Sequence, residues 1–232
     1  MILEHSSGAL FYDVREVSGT EPILYLHSAL GSSEEMLPIA ACFPERTAIF
    51  MDFPGHGKSV EPIEAMTTDC LSAAVARVLS HLGIPKVDIV GYSLGGYVAL
   101  DLAAAAPELV RSVASHAMKF YWTPDGIENA VATFGKAKGQ ESAIRVTASV
   151  IIDFLRRQLS VGEIRNSGIR VFLSTGELDE FVTPVEVVRL TEEIGDTTAS
   201  SMIFAGAGHS LRKLSMDAYE KAVREFWCSA EL

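Results

Sequence analysis

Short, mainly apolar runs alternate with longer segments of helical periodicity along most of this chain. Residues 23–26 are apolar at every position, which is typical of a strand buried on both faces of a parallel sheet. Residues 87–90 and 169–173 form similar runs, and a helical segment follows each of them. This alternation predicts right-handed crossovers and an α/β fold with a mostly parallel central sheet flanked by helices.

The other segments fit the same architecture. A partly alternating pattern at residues 9–17 is typical of a half-exposed strand. Gly83 and Pro107 end two predicted helices, and Pro184 lies in the first turn of another. The further predicted strands are 47–51, 110–115 and 201–204, and the predicted helices are about 34–43, 68–82, 97–106, ten residues from 184, and a last one from about 211.

The alternation stops in the middle of the chain. From about residue 118 to 167 the pattern is helical with no strand, and a polar, glycine-containing turn lies near residues 135–139. A strand pattern returns only at residue 169. We therefore expect a single domain over residues 1–232, with a cap-like insertion at about 118–167 that is not an independent domain.

The charge and hydropathy limit the classes of partner. The chain has 232 residues, of which 48% are hydrophobic, and a formal net charge of −11. Phosphates would repel so acidic a protein, so we expect no binding to nucleic acid or to an anionic membrane surface. Asp101 interrupts the most apolar segment, and no membrane-spanning helix is expected.

The cysteines and the first residues indicate a cytoplasmic location. Cys42, Cys70 and Cys228 form neither a CxxC pair nor a metal-ligand spacing, which is typical of reduced thiols. Residues 1–8 lack the basic and apolar regions of a signal peptide. We expect a cytoplasmic protein that binds a small-molecule substrate and uses no metal and no cofactor. Nothing in the pattern indicates an oligomeric state.

The most informative motif is Gly-Tyr-Ser-Leu-Gly at residues 91–95, between a predicted strand and a predicted helix. This context is the one that a nucleophile elbow requires. Side chains at Gly91 and Gly95 would collide across so tight a turn. The turn raises Ser93 above the sheet beside a helix N-terminus, so we predict that Ser93 is a catalytic nucleophile.

A catalytic serine needs a base, and His209 is the best placed histidine. It lies in a glycine-rich loop between the last predicted strand and the last helix, in the chain order Ser, Asp, His. Of the other histidines, His5 and His81 are expected at the surface. His27 and His56 are expected in loops beside the site, where a role in bracing the loop is favoured. His116 ends a predicted strand and could line the site.

The base in turn needs a carboxylate to orient it. Asp179 follows the strand at 169–173 and precedes the helix that begins at Pro184, so it is our predicted acid. Glu177 and Glu180 lie in the same loop and are its rivals. For the oxyanion hole, the expected donors are the backbone N–H groups of Leu94 and Ala29.

The entry to the insertion carries candidate substrate contacts. Lys119 could meet an anionic group, and Tyr121 and Trp122 could line an acyl pocket at the carboxyl end of a strand. His27, which borders the same region, is a further tentative contact. The alternative is that the aromatic residues pack the insertion onto the core and that Lys119 is solvated.

Together these motifs resemble the α/β-hydrolase superfamily over nearly the whole chain. The resemblance implies a serine hydrolase with a short cap, with Ser93 as nucleophile, Asp179 as acid, His209 as base, and Ala29 and Leu94 as oxyanion-hole donors. Ser28 departs from the pattern, because the family usually has glycine after this histidine. The motifs are His-Ser-Ala-Leu-Gly-Ser at 27–32, Asp-Phe-Pro-Gly-His-Gly-Lys-Ser at 52–59, Gly-Tyr-Ser-Leu-Gly-Gly at 91–96, Gly-Glu-Leu-Asp at 176–179 and Gly-Ala-Gly-His at 206–209.

Three functions fit this resemblance, because one fold hosts many chemistries. The first is hydrolysis of a small or medium carboxylic ester or thioester through an acyl-serine intermediate. The second is C–C bond cleavage or elimination of the type of the menaquinone-pathway synthase, which needs cationic or polar residues to hold a carboxylate. The third is a ligand-binding receptor with slow turnover. Cations in or near the insertion are Lys119, Arg145, Arg156 and Arg157.

Overall fold

The computed structural model describes residues 1–4, 8–60, 62, 64–195 and 197–229. His5, which we expected at the surface, lies outside the described residues. The strands are β1 (Ile2–Leu3), β2 (Leu10–Arg15), β3 (Ile23–Leu26), β4 (Ala48–Met51), β5 (Val87–Tyr92), β6 (Val110–His116), β7 (Arg170–Gly176) and β8 (Ala199–Phe204).

Eight helices accompany these strands in the described part of the chain. They are α1 (Leu37–Ala40), α2 (Thr68–His81), α3 (Leu94–Ala105), α4 (Pro124–Phe134), α5 (Glu141–Asp153), α6 (Val161–Ser167), α7 (Pro184–Ile194) and α8 (Met216–Cys228). Short 3₁₀ turns lie at Ser33–Met36, Pro107–Leu109 and Leu211–Lys213.

The strands form one sheet in the order β1-β2-β4-β3-β5-β6-β7-β8. Strand β2 pairs antiparallel with β1 and β4, and all the pairs from β4 to β8 are parallel. Buried residues form one apolar cluster that includes α2 and α3 and a second that includes α1 and α8. The predicted α/β fold with a mostly parallel sheet is therefore confirmed.

Local chemistry explains where the helices begin. The side chains of Thr183 and Ser160 each accept a hydrogen bond from the third residue of the following helix, and a glutamate at that position completes a capping box. The helix that we predicted from residue 211 begins later, because Ser215 caps α8 at Met216. The helix predicted at 34–43 is instead a 3₁₀ turn followed by the four-residue α1.

One further difference from the sequence prediction concerns a short strand, whereas the strand-free segment after β6 is as predicted. Strand β1 contains only two residues, which is too short for a period-two pattern to be recognised. Between β6 and β7 the chain forms α4, α5 and α6, and no strand occurs there among the described residues. Because β5, β6, β7 and β8 run in parallel, the loops that follow them open at the same edge of the sheet.

Candidate active site

Ser93 lies in a strained turn between β5 and α3. Its backbone has φ 51° and ψ −113°, a conformation that residues other than glycine rarely adopt. Its N–H donates to the carbonyl oxygen of His116 at 2.8 Å, which ties the turn to the end of β6. As the residue that precedes α3, Ser93 has its hydroxyl near free N–H groups at the positive end of the helix dipole.

The glycines of this turn are required by contact with neighbouring backbone. A Cβ at Gly91 would lie 2.6 Å from the backbone of Gly95 and Gly96. A Cβ at Gly95 would collide with the carbonyl oxygen of Leu26 in β3. Glycine at position 91 therefore lets α3 begin close to the end of β5, and glycine at position 95 lets the turn approach β3.

We expect Gly95→Ala to destabilise the protein by about 1–3 kcal/mol, because the added methyl group meets backbone that cannot rotate away. Chemical denaturation measures this change as a lower transition midpoint. Gly162→Ala in α6 is the matched control, since its Cβ would meet only the Ser160 hydroxyl at 3.8 Å. Equal stability of the two variants would contradict the steric account.

His209 and Asp179 are joined by a short hydrogen bond. His209 Nδ1 lies 2.9 Å from Asp179 Oδ2, and the Asp179 side chain is fully buried whereas that of His209 is 34% exposed. A carboxylate can only accept, so Nδ1 carries the proton and Nε2 is left for proton transfer. Within the described residues, no hydrogen bond joins Ser93 Oγ to His209.

The surroundings of Asp179 favour its ionised form. Its Oδ1 accepts from the N–H groups of Phe181 and Val182 at 2.9 and 2.8 Å, and the Thr175 hydroxyl lies 3.0 Å from Oδ2. Burial alone would raise the pKa of Asp179, but the hydrogen bond from His209 and the other donors outweigh it and hold the pKa below its usual value.

The rival acids in this loop have other positions. Glu177 and Glu180 are both exposed, and Glu177 Oε2 accepts from the Gly206 N–H at 3.0 Å. Glu177 therefore braces the loop that carries His209. Of the three carboxylates in this loop, the structure brings only Asp179 to His209.

The His209 loop is also held from the nucleophile strand. Tyr92, the residue before Ser93, donates its hydroxyl to the His209 carbonyl oxygen at 2.9 Å. The Tyr92 and His209 rings lie 5.8 Å apart, and the Phe181 ring meets His209 edge-on at 5.3 Å. We did not identify Tyr92 from the sequence, because this contact joins residues 117 positions apart.

The loop after β3 supplies the predicted oxyanion donors. Among the described residues, the N–H groups of Ala29 and Leu94 have no protein acceptor, and both residues line the same pocket. Ser28, the departure from the family pattern, donates its hydroxyl to Glu35 Oε2 at 2.7 Å, and its N–H lies 3.0 Å from the same oxygen. The extra side chain thus anchors this loop to Glu35.

Three other histidines are buried: His27 and His56 brace loops, and His116 ends β6 with its Nδ1 3.0 Å from Ser174 Oγ in β7. His27 Nδ1 donates to the Ser28 carbonyl oxygen at 2.7 Å, and its Nε2 accepts from the Phe53 N–H at 3.0 Å. Burial and the neighbouring His56 lower the pKa of His27 to about 3. Burial also lowers the pKa of His56, and that of His116 to about 4. All three are neutral at physiological pH, and none lines the pocket beside Ser93.

A narrow, mainly apolar pocket with a cavity volume of about 20 Å³ adjoins Ser93. Its wall combines the two predicted oxyanion residues with side chains from α3, from the segment after β6, and from α4 and α5. Lys119 is the one charged side chain in this wall among the described residues. The pocket is lined by Ala29, Ser93, Leu94, Tyr97, Lys119, Trp122, Phe134, Ile151, Phe154 and Phe181.

The predicted substrate contacts are only partly brought to this pocket. Trp122 lines it and stacks on Phe154 with ring centroids 5.2 Å apart. Tyr121 is directed instead to α7, where its hydroxyl donates to Glu193 Oε2 at 2.7 Å. His27 is fully buried in its loop. The positions of Tyr121 and His27 therefore do not support the substrate contacts that we predicted for them.

The described residues hold neither a grouped set of metal ligands nor a membrane-spanning helix. No cluster of three or more His, Cys, Asp or Glu side chains there has the arrangement of a metal site. No described helix is long and apolar enough to cross a membrane.

Comparison with known proteins identifies the family of this site. A family model described as "alpha/beta hydrolase fold" matches residues 21–139. The chain is 29% identical over 164 residues to an sn-1-specific diacylglycerol lipase of Xenopus laevis, covering 68% of this chain and 51% of that protein. It is 38% identical over 78 residues to the 2-succinyl-6-hydroxy-2,4-cyclohexadiene-1-carboxylate synthase of Serratia proteamaculans, covering 34% and 30%.

A solved structure extends the likeness of the fold to the whole chain. It comes from work on carboxylesterases of the thaumarchaeon Nitrososphaera gargenis and superposes with a TM-score of 0.85 at 17% identity, covering 100% of this chain and 99% of that one. The chain spans about half, or less, of the length of the curated relatives given above.

Proposed function

Because the chain belongs to the alpha/beta hydrolase fold family, we propose that it hydrolyses a small or medium carboxylic ester or thioester through an acyl-Ser93 intermediate. The observation that carries this proposal is the hydrogen bond between His209 Nδ1 and Asp179 Oδ2. It orients the imidazole of His209, whose loop Tyr92 holds directly beside the Ser93 turn.

In the proposed reaction, Ser93 Oγ attacks the carbonyl carbon of the acyl group while its proton passes to His209 Nε2. The N–H groups of Ala29 and Leu94 stabilise the negative oxygen of the tetrahedral intermediate. His209 then gives the proton to the leaving alcohol or thiol. Water, deprotonated by the same imidazole, releases the acid from Ser93 in the second half of the cycle.

The pocket supports an acyl substrate. Eight of its ten lining residues present apolar or aromatic surface beside the predicted oxyanion donors, so a hydrocarbon chain would lose contact with water on entering it. Helices α4 and α5 contribute Phe134 and Ile151 to the pocket wall. We propose that these helices are part of a short cap over the site.

The C–C bond alternative rests on the likeness to the Serratia synthase. That chemistry would need a cation beside Ser93 to hold a carboxylate. Arg157 is bound to Asp101 and Asp69 at 2.9 and 2.8 Å, and Arg145 and Arg156 line a different surface depression. Among the described residues, Lys119 is the one cation in the pocket wall, and it is paired with Glu186. This charge arrangement favours ester hydrolysis.

A turnover screen tests the proposal. It uses p-nitrophenyl esters of increasing acyl length beside a panel of acyl thioesters of the same lengths. We expect turnover of short and medium acyl groups that falls as the chain outgrows the pocket. Absence of turnover on every ester and thioester would overturn the proposed function.

Within this screen, Trp122→Ala should move the preferred acyl group to a longer chain, because removing the indole extends the apolar pocket. Trp122 also stacks on Phe154, so the variant should lose up to about 3 kcal/mol of stability as well. The kcat/KM series across acyl length measures the first effect. Lower stability with an unchanged length preference would mean that Trp122 only packs the insertion onto the core.

A further inference from the structure

The pocket wall contains one cation whose charge is already balanced. Lys119 Nζ lies 2.5 Å from Glu186 Oε1 in the first turn of α7. The two side chains are 21% and 23% exposed, so solvent screens this pair only in part. The ammonium group also lies 5.8 Å from the centre of the Phe181 ring, another residue of the pocket wall.

Glu186 is held in place independently of Lys119. Its second oxygen, Oε2, accepts from the N–H and the hydroxyl of Thr183 at 3.0 and 3.1 Å and so closes the capping box of α7. A carboxylate in the first helical turn is also stabilised by the helix dipole. Glu186 is therefore a fixed negative charge against which Lys119 is drawn.

We infer that the acyl group taken by this pocket is uncharged, and that Glu186 sets this selectivity by neutralising Lys119. The inference rests on the proposed function and deepens it by naming the charge class of the substrate. A carboxylate on the acyl chain would lose water on entering an apolar pocket. Lys119, the one cation in the wall among the described residues, is already bound to Glu186. The attraction left for a substrate carboxylate would therefore not offset its loss of hydration.

Removing the negative charge of Glu186 should free Lys119 to bind a substrate. Glu186→Gln keeps an amide oxygen that can complete the capping box, but it removes the charge that holds Lys119. Lys119 would then be available to a carboxylate on the acyl chain. The substrate's carboxylate takes no part in the reaction and carries the same charge in the ground and transition states, so the gain should appear in KM and not in kcat.

The experiment compares two substrates of matched shape: mono-p-nitrophenyl glutarate, which carries a free carboxylate, and its methyl ester, which is neutral. The wild-type protein should hydrolyse the neutral ester with the higher kcat/KM. We define the selectivity ratio as kcat/KM for the acid ester divided by kcat/KM for the methyl ester. In Glu186→Gln this ratio should rise about tenfold or more because KM for the acid ester falls, which is equivalent to about 1.4 kcal/mol. Adding Lys119→Gln to that variant should abolish the gain.

Glu193→Gln is the matched control, because Glu193 lies on the same helix but binds Arg189 and Tyr121 away from the pocket. It should leave the ratio unchanged. A wild-type protein that prefers the acid ester would overturn the inference, and so would an unchanged ratio in Glu186→Gln. If both glutarate esters are refused while other esters of the panel are hydrolysed in a Ser93-dependent manner, the inference fails and the proposed function stands. If no ester or thioester is turned over, both fail.

Discussion

Ser93→Ala should lower kcat for p-nitrophenyl ester hydrolysis by about 10⁶, because no other group at this position can form the acyl intermediate. The strained turn at φ 51° exists to present this hydroxyl, and alanine at the same position retains the surrounding contacts. Alanine has the same Cβ as serine, so the backbone strain is unchanged and the melting temperature should stay close to that of the wild type.

Steady-state kinetics on purified protein measure this effect, with the thermal transition recorded on the same sample. Ser201→Ala is the matched control, since Ser201 is an exposed serine in the edge strand β8. It should retain wild-type kcat. A Ser93→Ala variant that keeps kcat within about tenfold of the wild type would remove Ser93 from the role that we propose.

Asp179→Asn should lower kcat by about 10⁴ with a smaller change in KM. The asparagine amide can donate a hydrogen bond to His209 Nδ1, which favours the imidazole tautomer with its proton on Nε2. That tautomer cannot accept the proton of Ser93. The N–H groups of Phe181 and Val182 can still bond to the asparagine oxygen, so the loop should keep its shape.

The neighbouring carboxylates give the control for this result. Glu177→Gln can keep the hydrogen bond from the Gly206 N–H, and Glu180 is exposed, so Glu180→Gln should change little. Both variants should retain kcat within about tenfold. If Glu177→Gln proved as damaging as Asp179→Asn, the proposed assignment of the acid would be wrong.

The architecture was predictable from sequence because its signals are local. Continuous apolar runs identify the buried strands, and the glycines at 91 and 95 identify a turn that must pass close to other backbone. Chain order alone placed Asp179 and His209 on loops that open at one edge of the sheet, and the structure joins them by a hydrogen bond.

The substrate contacts were harder to predict because they depend on packing between distant elements. Lys119 and Glu186 are 67 residues apart, and no local pattern indicates that they pair. Tyr121 and Trp122 are adjacent, yet one turns to α7 and the other to the pocket. The sequence predicted His27 in a loop that borders the site, but it could not reveal that the His27 ring is completely buried.

The most direct test of the central claim is covalent labelling of Ser93. A fluorophosphonate reacts with an activated serine and mimics the tetrahedral intermediate, so digestion and mass spectrometry should place the adduct on the peptide that contains Ser93. Labelling should stop in Ser93→Ala and slow strongly in Asp179→Asn. An adduct on another residue, or equal labelling of Ser93→Ala and the wild type, would contradict the account.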